Sequence, residues 1–154
     1  WEYDIEESGF NFRLDEIRSA LGLSQMQRLD KFNDLRKKAS EYYTSQLTDV
    51  KGIITPKISK NNENSFHLYI IRITKDFPLT RDVLFKKLLN NGIRTSVHYK
   101  PLNQFTLFKK MAKSYDKLEI SNMLYDEILS LPMYPTIRKS DQNYVIKSIK
   151  DGII

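Results

Sequence analysis

One long amphipathic stretch followed by alternating strand-like and helical segments predicts an α/β (α+β) layer sandwich, a small sheet covered by helices. Three observations carry that expectation. Apolar residues recur at three- and four-residue spacing from Leu14 to Leu47, the stripe of an amphipathic helix. Two short segments, 65–74 and 93–99, are rich in aromatic and β-branched residues and too tightly bounded to be helices. Between and after them lie helix starts and stops at Thr80, Gly92 and Ser140.

In the first stretch Leu14, Ile17 and Leu21, then Met26, Leu29, Phe32 and Leu35, share a face, while Asp30, Lys31, Asp34, Lys37 and Lys38 fill the other. Asp15 and Glu16 occupy the first turn, where the helix dipole favours anions. Gly22 interrupts the pattern at a cost of about 1 kcal/mol relative to alanine. The stretch therefore reads as two successive helices, or as one kinked at Gly22-Leu23-Ser24 by a break or a close approach. Gly52 and Pro56 close this unit, and 59–64 is a polar loop. Residues 65–74 read as a strand buried on at least one face. Thr80 caps a helix carrying Val83, Leu84, Leu88 and Leu89, which Gly92 ends. Residues 93–99 read as a second strand, stopped by Pro101. A short helix or loop at 105–115 precedes a helix over 117–129 that bears Leu118, Ile120, Met123, Leu124, Ile128 and Leu129. Leu131-Pro132-Met133-Tyr134-Pro135 must be extended, because each proline pushes its predecessor out of the helical region; it reads as core strand and turn, without chemistry. Ser140-Asp141 opens a last helix through Val145, Ile146 and Ile149.

Composition narrows the function classes. A chain of 154 residues with 40% hydrophobic and 29% charged residues can bury a core as one domain. No run of about 18 apolar residues is present, so no membrane-spanning helix is expected, and no basic-then-apolar leader opens the chain. It begins on Trp1-Glu2-Tyr3 rather than methionine, which suggests that further residues precede it. Cysteine is missing altogether, ruling out disulfides and thiolate metal sites and fitting a cytoplasmic setting. The net charge of +6 raises nucleic-acid binding as a rival function. Its cations, however, are scattered as Arg36-Lys37-Lys38, Lys86-Lys87 and Lys109-Lys110 beside acidic or apolar residues, as on solvated helix faces. Neither an RNA-binding aromatic signature nor zinc-finger spacing accompanies them, so no nucleic-acid partner is expected.

Four stretches carry a family resemblance. Gly9-Phe10-Asn11-Phe12-Arg13-Leu14, with Asp15-Glu16-Ile17 and Ala20-Leu21-Gly22-Leu23 behind it, resembles the Gly-aromatic-Asn-aromatic-Arg-Met/Leu motif of the DegT/DnrJ/EryC1/StrS sugar aminotransferases. Phe66-His67-Leu68-Tyr69, Val97-His98-Tyr99-Lys100-Pro101-Leu102 and Leu131-Pro132-Met133-Tyr134-Pro135 follow in the family's order, so the resemblance spans nearly the whole chain. It implies the aspartate-aminotransferase fold (fold type I). Residues 1–154 would then be the small C-terminal domain, with a mainly antiparallel sheet, and 1–50 would form the linking motif and long helix. It also implies pyridoxal phosphate (PLP) as cofactor, a homodimer, and amino transfer from an amino acid, glutamate, to a nucleotide-linked keto sugar.

Residue by residue, the resemblance places Asn11 on the PLP phosphate of the neighbouring subunit, and Arg13, His98 and Tyr99 on the substrate side. Read without the family, Asn11 is a turn or cap residue just before a helix, whose free N–H groups and dipole would favour an anion. Arg13 is either a bidentate clamp for phosphate or carboxylate or a surface arginine paired with Glu16 or a neighbouring acid. His67 reads as a satisfied structural histidine. The family often has a histidine shortly after Pro-Leu, where this chain has Asn103, and that departure removes one candidate substrate contact. The family's Schiff-base lysine and the aspartate on the pyridine nitrogen lie in a large domain upstream of Gly9. Lys60 and Lys100 stand in the wrong context to replace that lysine. The chain alone is therefore expected to be inactive. A structural or dimerisation domain without catalysis remains the other reading.

Overall fold

The amphipathic stretch forms two helices, α1 (Glu16–Met26) and α2 (Leu29–Leu47), in the computed structural model, which describes residues 1–59, 61–111 and 118–152. The break falls at Gln27 and Arg28 rather than at Gly22. Its cause is a competition for one carbonyl: the Arg28 guanidinium bonds Ser24 O (3.2 Å) and Ser24 Oγ (3.1 Å), while its own N–H turns to Gln25 O, three residues back. Gly22 sits inside α1 in open space, so it marks neither a kink nor a close approach. The apolar stripe is also only half used. α2 buries Ala39, Tyr43 and Leu47, whereas α1 buries no residue, and Leu14, Ile17, Leu21 and Met26 stay exposed.

The sheet has three antiparallel strands in the order β1 (Ile53–Ile54), β2 (Tyr69–Ile73), β3 (Ile128–Leu131). Ile53 pairs with Ile73, Tyr69 with Leu131 and Arg72 with Ile128. β1, two residues long, has too little periodicity to be read in sequence. It follows Gly52, whose φ of +82° and close approach to the Phe77 backbone exclude any side chain there. β2 starts later than expected because Asn64 Oδ1 accepts the Phe66 N–H (2.7 Å) and holds Phe66 at φ 50°. Within β2, Tyr69, Ile71 and Ile73 are buried and alternate with half-buried Ile70 and Arg72, so one face meets the core.

Two expectations fail. Residues 93–99 do not form a strand; Ile93 is drawn to the end of the preceding helix by its bond to Leu88 O, and only Ser96 bridges to Ser130. The helix expected over 117–129 is α5 (Glu119–Glu127), and Ile128 and Leu129 belong to β3. Buried Arg81 takes the carbonyls of Tyr125 and Ile128 at that junction, where helical spacing alone could not distinguish a buried strand. α3 (Arg81–Asn90) is as read, with Thr80 Oγ1 accepting the Val83 N–H and Gly92 at φ +76° beyond its end. A 3-10 turn at Leu102–Gln104 leads into α4 (Thr106–Met111); the remainder of the expected 105–115 element, Lys117 and Lys60 lie outside the described residues. α6 (Lys139–Lys150) begins one residue before the expected Ser140, with Arg138 at its N-cap.

Tyr43, Leu47, Ile71, Leu84, Leu88, Leu129 and Ile149 form the centre of the core, so α2, α3 and α6 close on the sheet within this chain. Gln142 Nε2 on α6 donates to Ala39 O on α2 (2.9 Å) inside that packing. Tyr43 and Tyr69 stack at 5.1 Å, donating to Pro132 O (3.2 Å) and sharing a hydrogen bond with Thr44 Oγ1 (2.8 Å) respectively. Burial pushes the Tyr69 hydroxyl up to about 12, against the opposing pull of the Thr44 bond. Tyr43 is raised further, by burial first and then by Tyr134, Tyr69 and Asp141. Among the described residues, no helix is long and apolar enough to cross a membrane.

Candidate functional site

The candidate residues Asn11, Arg13, His98 and Tyr99 fall into two groups. The first is the exposed segment before α1. Arg13 Nε donates to Asn11 Oδ1 at 2.9 Å, and the flanking Phe10 and Phe12 rings lie 5.2 Å apart. With Oδ1 taken, the Asn11 amide NH₂ and the outer Arg13 nitrogens are donors without protein acceptors among the described residues. That set suits an anion. Arg13 does not pair with Glu16. The helix end itself offers less than expected: Asp15 caps α1 by accepting the Arg18 N–H (2.8 Å), and Glu16 adds a second carboxylate in the first turn. Asp15 thus takes one of the free N–H groups, and both carboxylates already offset the dipole, so the donors best placed for an anion are the side chains of Asn11 and Arg13.

The second group follows the Ser96–Ser130 bridge. His98 Nδ1 lies 2.9 Å from Ser130 Oγ, and the His98 and Tyr99 rings meet edge-on at 4.7 Å across a cis peptide bond. Both line a depression of about 550 Å³ whose other wall is α5, through Ser121, Leu124 and Tyr125. Tyr99 is largely exposed. Below it, Gln104 Nε2 and Asn103 Nδ2 converge on Asn122 Oδ1 (2.9 and 3.4 Å), while the buried Asn103 Oδ1 has no partner among the described residues. Asn103 therefore serves a polar network joining the 3-10 turn to α5. Lys100 lies over the Phe105 ring at 5.3 Å. His67 is exposed and has no hydrogen bond among the described residues, so it is not the satisfied structural histidine its sequence suggested. No hydrogen bond or ring contact joins Asn11 and Arg13 to His98 and Tyr99 among the described residues.

Sequence reasoning missed Ser130, Arg81 and Asn122. Ser130 left a faint signal, as the single polar residue in Ile128-Leu129-Ser130-Leu131. Arg81 left none, since an arginine in a first helical turn reads as solvated.

An exposed polar-aromatic motif ahead of a helix, joined to a small antiparallel sheet with a His-Tyr loop, defines a class already suggested by sequence. The model of the DegT/DnrJ/EryC1/StrS aminotransferase family matches residues 1–150, and the chain belongs to that family. It is 32% identical over 145 residues to the UDP-4-amino-4,6-dideoxy-N-acetyl-beta-L-altrosamine transaminase of Campylobacter jejuni, covering 94% of this chain and 38% of that protein. Its fold is similar to that of Helicobacter pylori PseC, an aminotransferase involved in the biosynthesis of pseudoaminic acid, with a TM-score of 0.86 at 27% identity over 99% of this chain and 41% of that one. A putative sugar aminotransferase of Streptococcus pneumoniae, solved in its PLP form, gives a TM-score of 0.85 at 26% identity, covering 99% and 39%. The chain thus spans roughly two fifths of the length of the relatives it matches.

Proposed function

We propose that residues 1–154 are the small C-terminal domain of a PLP-dependent aminotransferase that moves an amino group from glutamate to a nucleotide-linked keto sugar, in the making of a surface polysaccharide or an antibiotic sugar. The family match over residues 1–150 is the observation that carries this reading. In it, residues 1–50 link to a large domain bearing the anchoring lysine, the enzyme is a cytoplasmic homodimer, and the 154 residues alone do not transaminate.

The donor set fits the cofactor's phosphate: among the described residues the Asn11 amide and the outer Arg13 nitrogens have no acceptor, and they stand on an exposed segment. PLP, when bound, supplies the electron sink that lets the amino group leave one carbon and reach another. Asn11 holds the phosphate in the neighbouring subunit's site. Arg13, tethered to Asn11, adds positive charge on the substrate side. His98 and Tyr99 offer a ring nitrogen, an aromatic face and a hydroxyl to the sugar nucleotide, and Leu124 and Tyr125 of α5 offer it an apolar surface on the other side.

The test uses the full-length protein that contains this chain, with glutamate and a panel of nucleoside-diphosphate 3-keto and 4-keto sugars. Equal yields of 2-oxoglutarate and an amino sugar from one of them are expected. A PLP-loaded protein that aminates none of the panel refutes the substrate class.

A further inference from the structure

We propose that Ser130 is a positioning residue for His98: its hydroxyl donates to Nδ1, fixes the ring as the Nε2–H tautomer, and so presents an N–H donor to an oxygen of the nucleotide sugar. The ligand in this statement rests on the function proposed above; the tautomer does not.

The argument begins in the backbone. Ser130 is buried on β3, and its N–H and C=O both exchange hydrogen bonds with Ser96, at 2.8 and 3.2 Å. That bridge sets the position of His98 two residues later. β3 is in turn anchored at its start, where Arg81 Nη1 bonds Tyr125 O (2.7 Å) and Ile128 O (3.1 Å). Ser130 is thus held by sheet and helix while His98 lies on a loop. The 2.9 Å Oγ–Nδ1 contact is the sole hydrogen bond of either side chain among the described residues.

Counting donors chooses the tautomer. A hydroxyl has one proton to give and two lone pairs, and a neutral imidazole gives through one nitrogen and accepts through the other. If Nδ1–H donated to Oγ, the serine proton would be buried with nothing to accept it. If Oγ–H donates to Nδ1, only lone pairs go unused, and the ring proton sits on Nε2. Buried donors without acceptors are rarer than under-used acceptors, so the second arrangement is favoured. The Tyr99 ring, nearly perpendicular with its centroid 4.7 Å away, restrains the imidazole further. His98 lines a depression whose other walls are mostly apolar or aromatic, through Leu124, Tyr125 and Ile128, with Ser121 among them, so an Nε2–H there suits an oxygen acceptor carried on an apolar-faced ligand, whether from the sugar or from its diphosphate.

Since the chain has two histidines, ¹⁵N-histidine NMR of the 154-residue protein resolves both rings, at about pH 9, where ordinary imidazoles are neutral. His98 is expected to show an unprotonated Nδ1 and a protonated Nε2. Ser130→Ala should shift it to the averaged pattern of exposed His67, and Ser130→Thr, which keeps the hydroxyl, should preserve it. A protonated Nδ1 in the wild type, or no change in Ser130→Ala, overturns the positioning role; should the alanine variant not fold, the wild-type and threonine spectra decide. In the full-length enzyme Ser130→Ala should raise KM for the nucleotide sugar about three- to tenfold, the loss of one neutral hydrogen bond, with KM for glutamate unchanged. A parallel rise in Ki of the free nucleoside diphosphate assigns the acceptor to a phosphate oxygen, and an unchanged Ki assigns it to the sugar. An unchanged KM overturns the ligand contact. Wild-type enzyme that never turns over, with the tautomer as stated, instead refutes the aminotransferase reading.

Discussion

Replacing Arg81 by methionine isolates the joint between α5 and β3. The side chain is 7% exposed, bonds two main-chain carbonyls through Nη1, and lies 5.2 Å from the Tyr125 ring centroid. Its contact with Asp82 adds little, because that carboxylate is 76% exposed. Arg81→Met keeps the apolar stem but leaves the Tyr125 and Ile128 carbonyls unpaired. Each charge-assisted bond contributes about 1.5–3 kcal/mol, and part of the loss is recovered because the guanidinium no longer has to leave water. A net destabilisation of about 2–4 kcal/mol follows, lowering Tm by about 10 °C in a domain of this size. Urea denaturation followed by far-UV dichroism measures it, and an unchanged m-value keeps the comparison valid. Arg81→Lys should lose less, since an ammonium can still reach one carbonyl. A loss below about 0.5 kcal/mol in Arg81→Met, the range of neutral surface changes, would refute the reasoning.

The other stability predictions follow the same logic. Gly52→Ala places a Cβ 2.1 Å from Phe77 N at φ +82°, so the backbone must move; a loss above about 2 kcal/mol is expected in the same urea assay, and a neutral result contradicts the geometry. High pH should unfold the domain through its buried tyrosines. Because the Tyr69 hydroxyl titrates at about 12 in the fold and near 10 unfolded, its contribution is fully present below about pH 10 and is lost as pH rises towards 12. Tyr43, raised further, acts in the same direction, each removing about 1.4 kcal/mol per pH unit in that window. Urea midpoints from pH 9 to 12 should fall, and Tyr69→Phe should flatten the fall; a flat wild-type profile counts against both.

How much of this was legible in sequence depended on which force set each feature. Local chemistry was readable: Thr80 and Gly92 bound α3 because a cap and a positive φ are properties of those residues. The apolar stripes located α2 and α6, while the break between α1 and α2 came from one arginine side chain competing for Ser24 O, which no periodicity records. Strand assignments failed where tertiary pairing decides. Residues 93–99 have strand-like composition, but among the described residues Ser96 alone makes a β-bridge, to Ser130, and Ile128 and Leu129 continue a helical spacing across a real helix end. Asn11, Arg13, His98 and Tyr99 were named as candidates through the family resemblance of their motifs. Their surroundings emerged only from the fold: the acid cap that closes the α1 terminus, the Asn11–Arg13 bond, and Ser130 behind His98.

The central claim is that Asn11 serves a cofactor phosphate across a subunit boundary in an aminotransferase dimer. In the full-length enzyme, Asn11→Ala should weaken PLP binding about ten- to hundredfold, the loss of one charge-assisted bond. Mixing these subunits with subunits lacking the anchoring lysine is the decisive measurement. Each heterodimer then holds one lysine-bearing site served by the partner's intact Asn11, and activity should return. Activity that stays lost on mixing contradicts the claim, because every lysine-bearing site would then depend on its own damaged position 11.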